Sequence, residues 1–310
     1  MSSKIGIVFI FASLLIVTAG CNDPIERREL NKYKAQNRYV EKQDLVTQTA
    51  FLAMEVDGKL RYDFQGNLEE GSYASGFLIS KKKGLFKTAY HFAEHLGENG
   101  FDWCRLFING RVYRAELYRA LSNRDSAVIK IIDNFSETDF PEAPVFSSRK
   151  VKVGDKIFIE GYHPHPYYIR LKDQESGKKF QIIPLLKNYY QTVNMDKEDY
   201  TEVVYEVLEA EVMAVDKSWA DLLREIKDKN SSKDNLQVTL ENQIQNFFVI
   251  RTEGDHLFSF GGLSGTVIKN DRGEVVGEVT AGPALQKEER IIWVTPIESE
   301  IDEIRDLIDN

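Results

Sequence analysis

The 310-residue chain has few of the residues that mark several protein classes, with 2 cysteines, 8 prolines and 5 histidines. Two cysteines are too few for a disulfide framework. Basic residues are also outnumbered, because 49 acidic side chains stand against 40 lysines and arginines, for a formal net charge of −9. A nucleic-acid groove needs clustered basic side chains, so this balance argues against a nucleic-acid partner.

The composition is that of a folded globular protein, with 42% hydrophobic and 29% charged residues. Such values exclude a disordered chain, a collagen and a low-complexity array. The length allows two domains of ordinary size, or one β-rich domain with additional segments.

An apolar run of 13 residues, 5–17, follows Lys4 near the N-terminus. It is shorter than the ~20 residues that span a bilayer and is typical of the core of a signal peptide. The next residues, Thr18-Ala19-Gly20-Cys21, resemble the lipobox of bacterial lipoproteins. This resemblance implies that residues 1–20 are removed and that Cys21 carries lipid, including palmitate. The protein would then be anchored in the bacterial cell envelope, on a periplasmic or extracellular face. A plain secretory signal peptide is the alternative.

The segment after Cys21 is polar and rich in charge, without a sustained apolar period. We interpret residues 21–44 as a tether between the membrane and a folded domain. A short helix packed on that domain is the alternative. With Cys21 lipidated, Cys104 is the remaining thiol, and its strand-like surroundings predict a buried, unreactive side chain.

From residue 45 to residue 296, short apolar segments alternate with polar turns, which predicts an all-β barrel or sandwich. The segments interpreted as strands are 50–56, 73–80, 85–89, 111–117, 127–132, 156–161, 266–268, 275–279 and 291–294. Two helices are expected as well. One covers 216–226, with Asp216 or Ser218 as its N-cap, and the other is a C-terminal amphipathic helix over 299–310.

Three segments contain the residue types that a serine nucleophile needs for hydrolysis. They occur along the chain in the order His, Asp, Ser. They are Ala74–Phe92 with His91, Asn123–Ile131 with Asp125, and Gly261–Gly277 with Ser264. A serine hydroxyl becomes a good nucleophile when a base takes its proton. Neutral imidazole is such a base near neutral pH, and a carboxylate can orient it and stabilise its charged form.

These segments resemble the chymotrypsin clan of serine proteases, and especially its bacterial high-temperature-requirement branch, without a PDZ domain. The shared pattern is a Ser-Gly-Phe strand, Thr-Ala-x-His, an Asp before an apolar strand, and Gly-x-Ser-Gly. The resemblance covers roughly residues 45–300. It implies an all-β, trypsin-like fold of two six-stranded Greek-key β-barrels, with an inserted helix in the second half and a C-terminal helix. Within a domain of residues 45–310, the barrels would span about 45–140 and about 141–300, with an insertion at about 167–245.

The same resemblance implies a membrane-tethered serine endopeptidase that acts on protein or peptide substrates. His91 would be the base, Asp125 would orient it, and Ser264 would attack the peptide carbonyl. The backbone N–H groups of Gly262 and Ser264 would form the oxyanion hole. Neither a cofactor nor a metal is implied.

The specificity pocket of such an enzyme would be apolar here, lined by Phe258 and Ala281. Asp255 as a selector of basic residues is the alternative. The run His163-Pro164-His165-Pro166 lacks a third ligand nearby, so a rigid loop is expected rather than a metal site. The insertion either overhangs the cleft and restricts substrates or is surface decoration.

Each site residue has a rival in the sequence. His95 lies one helical turn after His91 and is the alternative base. The rivals of the other two residues are Asp102 and Asp133 for Asp125, and Ser126 and Ser259 for Ser264.

The chain also departs from the family pattern at three positions. Leu263 stands where Asn or Asp is common, Thr266 where a second glycine usually follows, and Tyr90 where the residue is usually small. These departures motivate an alternative function, a catalytically degenerate trypsin-like lipoprotein that binds proteins or peptides. A hydrolase on another fold is a further alternative, but the hairpin-like sequence after Ser264 argues against it.

Overall fold

The computed structural model describes residues 46–55, 60–62, 68–97, 101–121, 124–166, 181–182, 190–192, 201–218, 221, 246–252, 262–281 and 291–309. The expected signal peptide, the lipid-bearing Cys21 and the tether lie outside these residues. Within the described residues, no helix is long and apolar enough to cross a membrane.

The first barrel is closed, and its strands follow one another in the order β1–β4–β5–β8–β7–β6. All neighbouring pairs are antiparallel. Its strands are β1 (Thr49–Met54), β4 (Ser72–Ser80), β5 (Leu85–Ala89), β6 (Cys104–Ile108), β7 (Arg111–Leu121) and β8 (Ser126–Ile131).

The second barrel closes through the pairing of β9 with β12, and its order is β9–β12–β13–β16–β15–β14. Counted within each barrel, both follow the same Greek-key order, 1-2-3-6-5-4. Its strands are β9 (Lys156–Pro166), β12 (Thr201–Lys217), β13 (Phe247–Thr252), β14 (Val267–Asn270), β15 (Val275–Ala281) and β16 (Ile291–Pro296). The expected architecture of two six-stranded barrels is therefore confirmed.

Four further strands lie outside the two barrels' main ladders. β10 (Gln181–Ile182) extends the second barrel at β12. β2 (Leu60–Tyr62), β3 (Leu68–Glu70) and β11 (Tyr190–Thr192) form a small sheet in which β11 runs parallel to β2. A segment inserted between strands of the first barrel therefore pairs in this sheet with a segment inserted between strands of the second barrel.

Each barrel has its own apolar interior, and a third cluster fills the space between them. Side chains alternate along a strand, so β4 and β5 present one face to the first interior and the other to the second barrel. The cluster between the barrels contains Phe77, Ile79, Leu85, Leu121, Val128, Val267, Val275, Ile297, Ile304 and Leu307. Burying this much apolar surface fixes how the barrels sit against each other.

The C-terminal segment crosses from the second barrel onto the first. It contains a 3₁₀ turn, Ile297–Ser299, and α2 (Ile301–Ile304). The carboxylate of Asp309 accepts hydrogen bonds from the Ser80 hydroxyl at 2.7 Å and from the Lys81 backbone N–H at 2.7 Å. The segment thus ties the two barrels together.

The expected strands are all present, but the C-terminal helix differs from the expectation. The C-terminal α-helix has four residues rather than twelve, because turns replace it after Ile304. β12 continues to Lys217, so Asp216 is not an N-cap. Ser218 has the capping contacts instead, since its hydroxyl accepts from the Asp221 N–H at 3.3 Å. The rest of that helix lies outside the described residues.

Two other expectations need correction. β12 is a strand of the second barrel and lies inside the range 167–245, so that range is not one continuous insertion. His163 and His165 belong to β9, paired with β12, rather than to a loop. A long hairpin therefore accounts for residues that composition alone assigned to an irregular segment.

Removing apolar volume from the C-terminal segment should weaken the whole fold. Ile304→Ala should lower the free energy of unfolding by about 2–5 kcal/mol, because Ile304 is fully buried between the barrels. Ile301→Ala in the same helix is the control and should cost less, since Ile301 is partly exposed. Urea unfolding measures both, and equal losses would contradict the role of the segment as a strap.

Candidate active site

The end of β5 and the turn before β8 are joined at Asp125 and His91. The Tyr90 N–H donates to the Asp125 carbonyl at 3.0 Å. The His91 N–H donates to Oδ1 of Asp125 at 2.8 Å, and Nδ1 of the His91 ring lies 2.8 Å from Oδ2. Asp125 therefore fixes both the backbone and the ring of His91. His91 is the second residue of the short helix α1 (Tyr90–Ala93).

The turn at Asp125 has a left-handed backbone, with φ of +50°. Asp adopts this region more readily than most residues. The second barrel supports the turn, because the Thr295 hydroxyl donates to the Arg124 carbonyl at 3.3 Å. Thr280 and Thr295 are themselves joined through their hydroxyls at 2.5 Å.

The electrostatics of the pair favour a charged imidazole. Burial on its own would lower the pKa of His91, but the charge and hydrogen bond of Asp125 outweigh it and raise that pKa above 6.5. The His91 side chain is 31% exposed and that of Asp125 is 11% exposed. When the ring is neutral and Nδ1 donates to Asp125, Nε2 is the ring nitrogen that has no hydrogen. Such a ring can accept a proton at Nε2.

The loop that carries Ser264 docks on the first barrel through Ser75. The Ser75 N–H donates to the Ser264 carbonyl at 2.9 Å, and the Ser75 hydroxyl lies 3.0 Å from the Gly262 carbonyl. The Thr88 hydroxyl donates to the Ser75 carbonyl at 2.7 Å. Ser75 thus links three elements, namely its own strand β4, the strand β5 that leads to His91, and the serine loop.

Gly265 allows the closest approach between the loop and β5. Its φ is +76°, and a Cβ there would lie 2.3 Å from the Ser75 carbonyl oxygen and 2.7 Å from the Ala89 nitrogen. Only glycine fits such a contact in this conformation. Ser264 therefore sits next to the strand end that continues into His91, with its side chain partly exposed. Among the described residues, the contacts of Ser264 run through its main chain, and a hydrogen bond from its hydroxyl to His91 is not among them.

The two loop positions that depart from the family pattern are buried in the second barrel. Leu263 is 1% exposed and belongs to that barrel's apolar core. Thr266 is fully buried against Gly161, where a Cβ would lie 2.2 Å from the Thr266 hydroxyl oxygen. Gly161 therefore makes room for Thr266, and neither Leu263 nor Thr266 reaches the surface.

Several rivals are placed elsewhere. Asp133 binds Arg114 through the backbone N–H and the guanidinium group. Ser126 is buried beneath Asp125. Burial and the neighbouring His91 lower the pKa of His95. Asp102 is exposed in a bend.

The specificity pocket is only partly within the described residues. Asp255, Phe258 and Ser259 lie outside them. Ala281 ends β15, and its backbone pairs with Trp293 across a bulge. Among the described residues, no group of three His, Cys, Asp or Glu side chains is placed to hold a metal ion.

Cys104 agrees with its expected role as an unreactive thiol. It is fully buried in the first barrel, and burial raises its pKa to about 12. The thiolate needed for nucleophilic attack is therefore scarce at neutral pH.

The sequence did not predict a buried charged cluster beside the His91–Asp125 pair. Lys87 Nζ lies 2.5 Å from Glu278 and 2.6 Å from Glu300, and all three side chains are at most 1% exposed. Lys87 also donates to the Ser126 hydroxyl at 2.6 Å. The available signal was a charged residue in the middle of each of two apolar strand segments, Leu85–Ala89 and Val275–Val279.

A methyl group at Gly265 should separate the serine loop from the first barrel. Gly265→Ala should lower the free energy of unfolding by more than Gly273→Ala, which is a matched control. Both glycines have φ of +76°, but a Cβ at Gly273 meets nothing within 4 Å. The control isolates the backbone strain of about 1–2 kcal/mol. Chemical denaturation measures both, and equal losses would contradict the close approach at Gly265.

Among the comparisons with known proteins, the one with solved structures found matches. Neither a protein-family model nor a curated protein matches the chain. Among solved structures, the active form of the Rv3671c protease from M. tuberculosis matches with a TM-score of 0.50 at 12% identity, covering 85% of this chain and 82% of that one. The structure of Deg5 matches with a TM-score of 0.47 at 16% identity, covering 89% of this chain and 93% of that one. The chain has the trypsin-like fold of two closed antiparallel barrels.

Proposed function

We propose that the protein is a serine endopeptidase that uses His91, Asp125 and Ser264. The observation that carries this proposal is the double attachment of Asp125 to His91, beside a glycine-flanked serine loop. A carboxylate that binds Nδ1 orients an imidazole as the base of a serine nucleophile. The trypsin-like fold, which the chain shares with the Rv3671c protease, supports the same conclusion.

In the proposed reaction, the Ser264 hydroxyl attacks the peptide carbonyl and its proton passes to Nε2 of His91. The charged ring stays paired with Asp125 and then gives that proton to the leaving amine. Water, deprotonated by His91, releases the acyl group from Ser264 and restores the hydroxyl. The distance between nucleophile and base is often long in a free enzyme and shortens with substrate bound.

The backbone N–H groups of Gly262 and Ser264 are the proposed oxyanion donors. Gly262 has φ of +89°, a backbone conformation that glycine adopts readily in a tight loop. The carbonyls of both residues are already bound to Ser75, which fixes the loop from behind. One such donor contributes roughly 10²–10³-fold to kcat.

Labelling with a fluorophosphonate probe tests the triad. We expect labelling of the wild type, none in Ser264→Ala, and a rate reduced by about 10⁶ in His91→Ala. Ser148→Ala, at an exposed serine, is the control and should label like the wild type. A peptide library should then show cleavage after apolar residues if Phe258 and Ala281 line the pocket, and after basic residues if Asp255 is its selector.

A non-catalytic protein that binds peptides is the second candidate, favoured by the departures Leu263 and Thr266. Their burial in the second barrel weakens this candidate, because neither alters the surface of the cleft. A folded wild type that binds peptides without turnover and resists the probe would establish it. Probe labelling that survives in Ser264→Ala would contradict the proposed triad.

We also propose that Cys21 anchors the mature protein to a membrane of the bacterial cell envelope. The support is the sequence Thr18-Ala19-Gly20-Cys21 after a short apolar run. More than one acyl chain would be needed for stable anchoring, since a single chain binds membranes weakly. Cells fed labelled palmitate should incorporate it into the wild type and not into Cys21→Ser. Cys104→Ser is the control, and label that is retained in Cys21→Ser would overturn the anchor.

A further inference from the structure

The buried cluster of Lys87, Ser126, Glu278 and Glu300 joins three parts of the molecule at one point. Lys87 belongs to β5, Ser126 to β8, Glu278 to β15, and Glu300 stands at the start of α2. A single ammonium group contacts the other three side chains at 2.5–2.6 Å. The cluster therefore connects the first barrel, the second barrel and the C-terminal segment.

The position of Lys87 follows from strand geometry. On β5, Phe86 points into the first barrel, so Lys87 and Leu85 point to the other face, toward the second barrel. Ser126 and Val128 occupy the matching face of β8. Lys87 also lies 6.0 Å from the centre of the Phe77 ring. A charged residue thus stands where the neighbouring strand positions are apolar.

Each member of the cluster lies next to an element that places the candidate site. Ser126 directly follows Asp125 and pairs with Ala89, which precedes the helix of His91. Glu278 directly precedes Val279, whose carbonyl accepts the Gly265 N–H at 2.8 Å. The cluster is therefore one residue away from both the Asp125 turn and the support of the serine loop.

The charges in the cluster do not balance when every group is ionised. Two carboxyl groups share one ammonium group, so the fully ionised cluster has one excess negative charge. A lone excess charge at such a buried point is costly. Sharing one proton between the two carboxyl groups removes the excess charge.

We propose that Lys87, Ser126, Glu278 and Glu300 are positioning residues that hold the Asp125 turn and the Ser264 loop in register across the two barrels. This inference rests on the proposed function for its effect on turnover. It goes further by assigning a role in the site to four residues that do not touch the substrate. The role requires the hydrogen bond from Lys87 to Ser126 and a neutral cluster.

The effect of pH on the cluster follows from the pKa values of its two carboxyl groups. Burial is the largest effect and raises the pKa of Glu278 to about 8, against the opposing charge of Lys87 and with the help of Glu300. The pKa of Glu300 is raised in the same direction by burial. A raised pKa means that the protonated form favours folding. Its contribution is complete below about pH 4.5 and is lost as the pH rises through about 8.

The groups that face this proton come from every element around it. They are Lys87 on β5, Ser126 on β8, Glu300 at α2, Arg124 in the turn before β8, and His91, whose pKa Glu278 also helps to raise. Above about pH 8 the cluster becomes anionic, and the two carboxylates repel each other between the barrels. The activity should therefore fall at alkaline pH, an effect that the His91–Asp125 pair alone does not cause.

Ser126→Ala tests the link to Asp125 without changing any charge. We expect kcat to fall about 10-fold or more with KM changed by less than about threefold, because small displacements at a reacting centre are costly. The pKa of His91, followed by NMR, should fall as its contact with Asp125 loosens. Ser80→Ala is the matched control, since it removes another buried hydroxyl of the first barrel, bound to Asp309.

Glu278→Gln tests the proton. The ratio of kcat at pH 9 to kcat at pH 7 should rise above that of the wild type, and the loss of stability toward pH 8 should disappear. Glu274→Gln, the same chemical change just before β15, should keep the wild-type ratio, since Glu274 binds Asn270 and Arg272 in the adjoining turn.

The outcomes separate this inference from the proposed function. Folded Ser126→Ala with the wild-type pKa of His91 and the wild-type kcat would overturn the positioning role and leave the triad intact. A wild type without any turnover would contradict the proposed function. The response of the His91 pKa to Ser126→Ala would still decide whether the cluster holds Asp125. A purely structural cluster would lower stability in these variants and leave the His91 pKa and the pH ratio unchanged.

Discussion

The contact between the two closed barrels is the constraint on which the candidate site depends. His91 and Asp125 come from the first barrel and Ser264 from the second, so no single barrel contains the site. An apolar cluster makes the contact strong, but apolar packing alone does not specify a register to within a fraction of an ångström. Directional bonds across the contact supply that register. Ser75 is the clearest case, since it lies on β4 of the first barrel and binds backbone groups of Tyr162, Gly262 and Ser264 from the second barrel.

The buried Lys87 cluster belongs to the same argument. Replacing a buried ion pair with apolar residues often leaves stability unchanged or improves it, so such a cluster is a poor explanation of stability alone. Its members lie beside the turn of Asp125 and the strand that supports Gly265. A directional, charged connection at this point restricts how the barrels can slide against each other. The buried charges then serve to specify one arrangement of the site rather than to increase the free energy of unfolding.

The sequence was sufficient where a local pattern determines local structure. Apolar strand segments, the glycines around Ser264 and the Asp before β8 are such patterns, and the two barrels follow from them. Local sequence patterns were insufficient to predict the features of the structure that depend on tertiary packing. The C-terminal helix ends at Ile304, and both Ile304 and Leu307 pack in the contact between the barrels, which the local pattern does not reveal. Lys87 resembled an ordinary strand residue, since its carboxyl partners lie far away in the sequence and only the fold brings them together.

The two barrels share one strand order, yet the candidate site uses them unequally. His91 follows the third strand of the first barrel, Asp125 precedes its sixth strand, and Ser264 precedes the fourth strand of the second. The repeated strand order therefore does not by itself align the reacting groups, because they lie at non-equivalent positions of the two barrels. Their alignment must come from contacts that break the repeat: Gly265 against Ala89, Thr295 against Arg124, and Lys87 against Glu278. Each of these contacts joins an element of one barrel to an element of the other. The first two lie directly beside Ser264 and Asp125, and Lys87 in the third also binds Ser126, the residue after Asp125. The chemistry of the cleft is thus inseparable from the chemistry of the interface behind it.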